Sequence, residues 1–150
     1  MEIERKFLIK ELPDLSKYKF TEIEQGYLST QPVVRIRKKG DKYILTYKGS
    51  GLMAREEIEA NISEEGYKHL AEKIDGNLIT KKRYFIPLDP YTIELDIFEG
   101  HMAGLIMAEV EFPNEEEANS FTPPAWFGED VTNDRRYHNS NMIFGNPFAE

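Results

Sequence analysis

The sequence predicts an α+β chain dominated by antiparallel strands. Short runs alternate charged and apolar residues, turn residues separate those runs, and helical spacing is confined to a few short stretches. The alternating runs span residues 2–9, 24–28, 33–38, 42–48, 55–61, 78–86, 91–98 and 105–112. Gly40-Asp41 and residues 87–90 mark hairpin turns. After the fifth run, Ser63, Glu64 and Glu65 precede Tyr67, Leu70, Ala71 and Ile74, with Gly76 beyond, which is the pattern of a capped amphipathic helix. A second, shorter helix is expected from Asn114 through residues 115–121. Pro123 and Pro124 break the chain, and residues 130–144 are expected to hold a short helix that packs Tyr137, Met142 and Ile143.

The 150 residues, 40% hydrophobic and 12% aromatic, suffice for one ordinary core, and no repeat or composition shift divides residues 1–150, so one domain is expected. A formal net charge of -8 argues against nucleic acid or an anionic membrane as a general partner. The absence of cysteine excludes disulfides and thiolate metal sites. Charges interrupt the chain from residue 2 onward and no stretch is long and apolar enough to span a bilayer, so a cytoplasmic location is expected.

A strand places alternate residues on opposite faces. In "EIERKF" that rule puts Glu2, Glu4 and Lys6 together, with Ile3, Arg5 and Phe7 opposite. The same sorting groups Arg35 with Arg37, Arg55 with Glu57 and Glu59, Lys81 with Arg83, Glu94 with Asp96 and Glu109 with Glu111, while Lys48 lies opposite Tyr43, Leu45 and Tyr47. Each of these strands has one charged and one apolar face. Two structures fit: an open sheet with its charged face in water, or a barrel curled around the charged face with helices outside. The kind of charge favours the second. Paired acids at i and i+2 repel across roughly 7 Å unless a cation lies between them. Such carboxylates are hard oxygen ligands suited to Mg2+ or Mn2+, and the facing bases suit a polyanion that carries its own divalent ion.

These residues resemble the CYTH, or triphosphate tunnel metalloenzyme, superfamily. "EIERKF" matches its ExExK signature, and "VRIR", "LTYKG", "REEIE", "KKRY", "ELDIFEG", "AEVEF" and "VTNDRRYHN" follow in the family's order. The resemblance implies an eight-stranded antiparallel barrel forming a charged tunnel that acts on a triphosphate with divalent metal, as a small tripolyphosphatase-like member. It implies Glu2, Glu4, Glu109 and Glu111 as metal ligands, with Glu59, Glu94 and Asp96 in the surrounding acidic shell. Arg35, Arg37, Lys48, Arg55, Lys81 and Arg83 would hold the phosphates, with Arg136 near the tunnel entrance. Lys6, Tyr27 and the shell carboxylate Glu57 would form the catalytic set. The expected activity is hydrolysis of inorganic tripolyphosphate to pyrophosphate and phosphate, by a monomer or homodimer. Cyclisation of ATP to cyclic AMP, hydrolysis of thiamine triphosphate, and polyphosphate binding without turnover are the alternatives. No segment reads as a nucleobase or thiazolium pocket, which favours the inorganic substrate.

His69, His101 and His138 show no ligand spacing and read as structural or surface residues, and Trp126 reads as a packing anchor.

Overall fold

All eight alternating runs form strands in the computed structural model, which describes residues 2–51 and 53–146. The elements are β1 (Glu2–Ile9), β2 (Phe20–Thr30), β3 (Val33–Lys39), β4 (Lys42–Lys48), β5 (Ala54–Arg55), β6 (Glu57–Asn61), α1 (Glu64–Ala71), β7 (Asp75–Leu88), β8 (Tyr91–Phe98), β9 (Ile106–Glu111), α2 (Glu115–Ser120) and β10 (Phe127–Asp130). The fifth run is divided at Glu56: β5 pairs with β1 through Glu2↔Arg55, and β6 pairs with β4 through Lys48↔Glu57. Every pairing is antiparallel, in the order β10-β1-β9-β8-β7-β2-β3-β4-β6, with β5 off this path against β1. The hydrogen-bonded path is therefore open rather than a closed ring of eight, and a two-residue ladder at β5 links its far ends.

Both expected helices are present and capped by their own side chains. Ser63 Oγ accepts from the Gly66 amide at 2.9 Å, and Asn114 Oδ1 accepts from the Glu117 amide at 2.8 Å, each cap contributing about 1 kcal/mol. The first helix stops at Ala71, short of Gly76. Gly76 serves another purpose: at φ 65°, with the Ile143 carbonyl 2.6 Å from where a Cβ would stand, it lets the C-terminal segment approach β7. That segment is not the expected helix but two isolated 3-10 turns, Arg135–Tyr137 and Asn139–Asn141. Asp134 caps the first turn by accepting from the Arg136 amide, and the Asn-Ser-Asn stretch has weak helix propensity.

The apolar strand faces build the outer core. Ile3, Phe7, Ile93, Leu95, Ala108 and Val110 pack with Phe112, Phe127 and Ala118 of α2, and Trp126 lies partly buried against them. Arg5 ties this layer together, donating to the Ala118 and Phe121 carbonyls at the end of α2 and pairing with Asp130 at 2.8 Å. A second cluster has a different origin. Tyr27, Ile79, Phe98 and Met107 share the parity of the charged face, but lie toward one end of their strands. Met102, Val131, Met142 and Ile143 close over them. The charged interior is thus plugged with hydrocarbon at that end.

Candidate functional site

The curvature of the sheet brings the charged faces together. Every strand from β1 to β9 contributes to one cavity of about 250 Å³, as do His138, Asn139 and Ser140 from the C-terminal segment. Seven bases line it (Lys6, Arg35, Arg37, Lys39, Lys48, Arg55 and Arg83) together with seven acids (Glu2, Glu4, Glu57, Glu59, Glu94, Glu109 and Glu111). Although the whole chain carries -8, the lining charges balance. An anion entering alone would upset that balance, whereas an anion with a divalent cation would preserve it. Among the described residues that line it, only Val33 and Tyr27 are hydrophobic.

Acids and bases are sorted by strand. On the acidic side, Glu4 stands directly across the ladder from Glu111, and Glu94 from Glu109. Like charges in register repel. Burial and the neighbouring Glu109 push the Glu4 carboxyl above its usual range, and burial with Glu2 does the same to Glu111. Glu2 is raised by burial and by Glu57. Lysines bridge these acids: Lys6 Nζ is 3.8 Å from both Glu4 and Glu109, and Lys48 Nζ is 2.9 Å from Glu2 and 3.5 Å from Glu57. Arg55 reaches Glu2 at 3.6 Å, and Arg83 reaches Glu94 at 2.9 Å and Glu109 at 3.6 Å. Burial alone would raise Glu109, but Lys6 and Arg83 outweigh it and hold that carboxyl low.

The basic side is β3. Arg35 and Arg37 are buried, yet their hydrogen bonds go to neutral groups: Arg35 Nη2 to Thr46 Oγ1 at 3.3 Å, and Arg37 Nε to Gln25 Oε1 at 2.8 Å. The Nε of Arg35 is buried with no hydrogen-bond partner among the described residues. Burial, and repulsion from Arg35 and Arg83, lower the Arg37 guanidinium to about 9. Burial and Arg83 also lower Lys39. Buried arginines that pair with no carboxylate among the described residues suit an anion.

Three of the residues singled out from sequence do not line this cavity. Lys81 and Asp96 share the charged parity, but lie one step nearer the hydrocarbon plug than Arg83 and Glu94, so they are sealed below the floor. There Lys81 Nζ meets Asp96 Oδ2 at 2.7 Å and the Phe98 ring at 5.2 Å, while Asp96 also takes the Arg83 guanidinium through two bonds of 2.7 and 2.8 Å. Asp96, expected in the acidic shell of the metal, is instead engaged by these two cations away from the cavity lining. Arg136 lies on the exterior, its guanidinium 2.7 Å from Asp134. Lys6, Tyr27, Glu57 and the remaining predicted side chains do converge. The lining residues that sequence reading missed are Lys39, which the β3 alternation extended by one step would have found, and His138, Asn139 and Ser140, for which strand parity offers no signal.

Among the described residues, no three carboxylate or imidazole groups converge into a ready-made metal cage. The donors nonetheless fit Mg2+ or Mn2+, which take one or two carboxylates and fill the remaining positions with water and substrate oxygens. Glu4 and Glu111, with Glu2 beside them, are crowded hard oxygen donors, raised by burial first and by one another's charge second.

An antiparallel sheet wrapped around a charge-balanced cavity, with a wall of uncompensated arginines, defines a site for a compact polyanion. The chain belongs to the CYTH domain family, whose model matches residues 1–140. It is 39% identical over 150 residues to an inorganic triphosphatase of Nitrosomonas europaea, covering 97% of this chain and 99% of that protein. An inorganic triphosphatase of Acetivibrio thermocellus is 37% identical over 154 residues, covering 98% of this chain and 95% of the other. A crystal structure of an inorganic triphosphatase superposes with a TM-score of 0.71 at 37% identity, across 97% of this chain and 95% of that one.

Proposed function

We propose that this chain hydrolyses inorganic tripolyphosphate to pyrophosphate and phosphate with a divalent metal, Mg2+ or Mn2+, inside this cavity. The observation that carries the reading is the β3 wall, where Arg35 and Arg37 line the cavity and make no carboxylate pair among the described residues. Phosphate oxygens supply the negative charge that these guanidinium groups lack. The charged lining, with hydrocarbon only from Val33 and Tyr27 among the described residues, supports an inorganic substrate over one carrying a nucleobase or thiazolium ring. The inorganic triphosphatases at 37–39% identity support the same substrate.

Arg35, Arg37 and Lys39 hold the phosphate chain against β3. Lys48, Arg55 and Arg83 lie between the two sides and exchange carboxylate partners for phosphate oxygens. Lys6, held between Glu4 and Glu109, is placed to absorb charge at the reacting phosphoryl group, and Tyr27 lines the wall beside Arg35. Glu57 is a carboxylate within reach of the reaction. Glu4 and Glu111, with Glu2, hold the metal, which when bound neutralises charge on the phosphate oxygens. Positioning and charge neutralisation are most of what phosphoryl transfer requires. The β5 ladder to β1 draws the ends of the sheet together as a functional tunnel within a single CYTH domain, acting in the cytoplasm as a monomer or homodimer.

The test supplies Mg2+ or Mn2+ with tripolyphosphate, ATP or thiamine triphosphate, and assays phosphate and cyclic AMP. Fast phosphate release from tripolyphosphate alone is expected. Cyclic AMP from ATP, or turnover confined to the organic substrates, would overturn the assignment.

A further inference from the structure

Arg5 and Lys6 are neighbours on β1 that face opposite ways, and the chain around the end of β10 holds both. The Lys6 amide donates to Thr132 Oγ1 at 3.0 Å, and the Lys6 carbonyl accepts from the Val131 amide at 2.9 Å. In an antiparallel strand the N–H and C=O of one residue point to the same side, so both main-chain groups of Lys6 are turned to this segment and away from β9. Opposite Glu109 on β9, Lys6 therefore stands in a non-hydrogen-bonded pair, the arrangement that brings facing side chains closest. The tip of Lys6 is held loosely: Nζ lies 3.8 Å from both Glu4 and Glu109, beyond hydrogen-bond distance. With no short bond to a carboxylate among the described residues, the ammonium takes its place from its backbone.

The acceptor for the Lys6 amide is a side-chain hydroxyl where a ladder would offer a carbonyl. A hydroxyl rotates unless something fixes it, and here Asp130 does. Asp130 Oδ1 accepts from the Thr132 hydroxyl at 2.5 Å and from the Thr132 amide at 2.9 Å. A carboxylate can only accept, so the hydroxyl proton points to Asp130 and the oxygen lone pairs are left for the Lys6 amide. Asp130 Oδ2 accepts from Arg5 Nη2 at 2.8 Å, and Arg5 Nη1 donates to the Ala118 and Phe121 carbonyls at 2.9 and 3.3 Å. Burial would raise the Asp130 carboxyl, but Thr132 and Arg5 outweigh it and hold it low. A continuous chain of hydrogen bonds thus runs from the end of α2, through Arg5, Asp130 and Thr132, to the Lys6 main chain.

We propose that Thr132, oriented by Asp130, is a positioning residue for catalysis: its hydroxyl fixes the Lys6 backbone, and through it the Lys6 ammonium at the reacting phosphoryl group. This inference rests on the role given to Lys6 in the hydrolase reading above. Thr132 is buried and does not line the cavity, so it acts on the substrate only through Lys6. Valine has the shape of threonine but accepts nothing, so Thr132→Val leaves a buried Lys6 amide unsatisfied. The strand shifts to recover a partner, and the Lys6 side chain moves with it.

The test is steady-state kinetics on tripolyphosphate, with the metal titrated, for wild type, Thr132→Val, Thr132→Ser and Trp126→Leu, each assayed under conditions where it is folded. Thr132→Val is expected to lower kcat by up to about 10²-fold, with KM and the half-saturating metal concentration unchanged. Thr132→Ser keeps the hydroxyl and should recover most of the rate. Trp126→Leu loosens the start of β10 by removing the packing on Phe127, and should lower stability without lowering kcat. If Thr132→Val does not fold, Asp130→Ala, which keeps the hydroxyl but frees it to turn, is read in the same way. Wild-type kcat in the decisive variant, or an equal loss in Thr132→Ser or Trp126→Leu, would overturn the positioning role. A change in KM or in metal requirement would spread the effect over the whole cavity and overturn it too. Full activity in Lys6→Met would remove the role of Lys6 and this proposal with it, whereas wild-type inactivity on tripolyphosphate would remove the hydrolase reading itself.

Discussion

Lys81 Nζ lies 2.7 Å from Asp96 Oδ2, and neither side chain is exposed to solvent. With Arg83 also bound to Asp96 through two hydrogen bonds, one carboxylate beneath the cavity floor holds Lys81 and a cation of the lining.

Breaking that arrangement should be costly to the fold. Asp96→Asn leaves Lys81 buried without its carboxylate partner and removes the two bonds that hold Arg83, and a loss of about 3–5 kcal/mol is expected, read by urea unfolding. Burial raises the Asp96 carboxyl, but Arg83 and Lys81 outweigh it and the net direction is down. Its stabilisation is therefore present above the unfolded carboxylate pKa and is lost as pH falls through the folded one. A stability change below about 1 kcal/mol, the range of exposed pairs, would show that the pair is not the structural knot described.

His138 gives a pH dependence of the same sign in a higher window. Its imidazole is lowered from 6.5 to about 4, mainly by burial, so the unfolded chain takes up the proton first. Stability should fall as pH drops from 6.5 to 4, by at most roughly 3 kcal/mol. Urea unfolding of wild type and His138→Gln across that window isolates this contribution from the carboxylates. Parallel curves would refute it.

Arg37 tests the basic wall. Arg37→Ala removes a charged phosphate contact worth about 1.5–3 kcal/mol, a rise in KM of roughly 10- to 100-fold. Stability should change little, because losing the bond to Gln25 is offset by relief of repulsion from Arg35 and Arg83. Unchanged KM would remove phosphate binding from this wall.

Strand parity was enough to find most of the site, because alternation fixes which side chains share a face. It could not tell how far along a strand the charged interior extends. Lys81 and Asp96 satisfy the pattern, but the same parity leads on to Ile79 and Phe98, and the plug they build seals the pair away from the cavity. The division of one expected strand at Glu56 and the short β10 were equally illegible, since both depend on which distant strand offers hydrogen bonds. Tyr137, Met142 and Ile143 suggest a short helix in residues 130–144, whereas the structure has 3-10 turns there. The cavity residues of that segment escaped notice because their placement comes from tertiary anchoring at Lys6 and Asn77.

The most direct test follows tripolyphosphate turnover against Mg2+ and Mn2+ concentration for wild type and Glu111→Gln. Glu111 faces Glu4 across the ladder, on the wall proposed to hold the metal. The expected result is metal-dependent release of phosphate and pyrophosphate in equal amounts, with the variant needing a higher metal concentration. Metal-independent hydrolysis, or an unshifted metal requirement in Glu111→Gln, would contradict the central claim that the acid wall holds the metal for triphosphate hydrolysis.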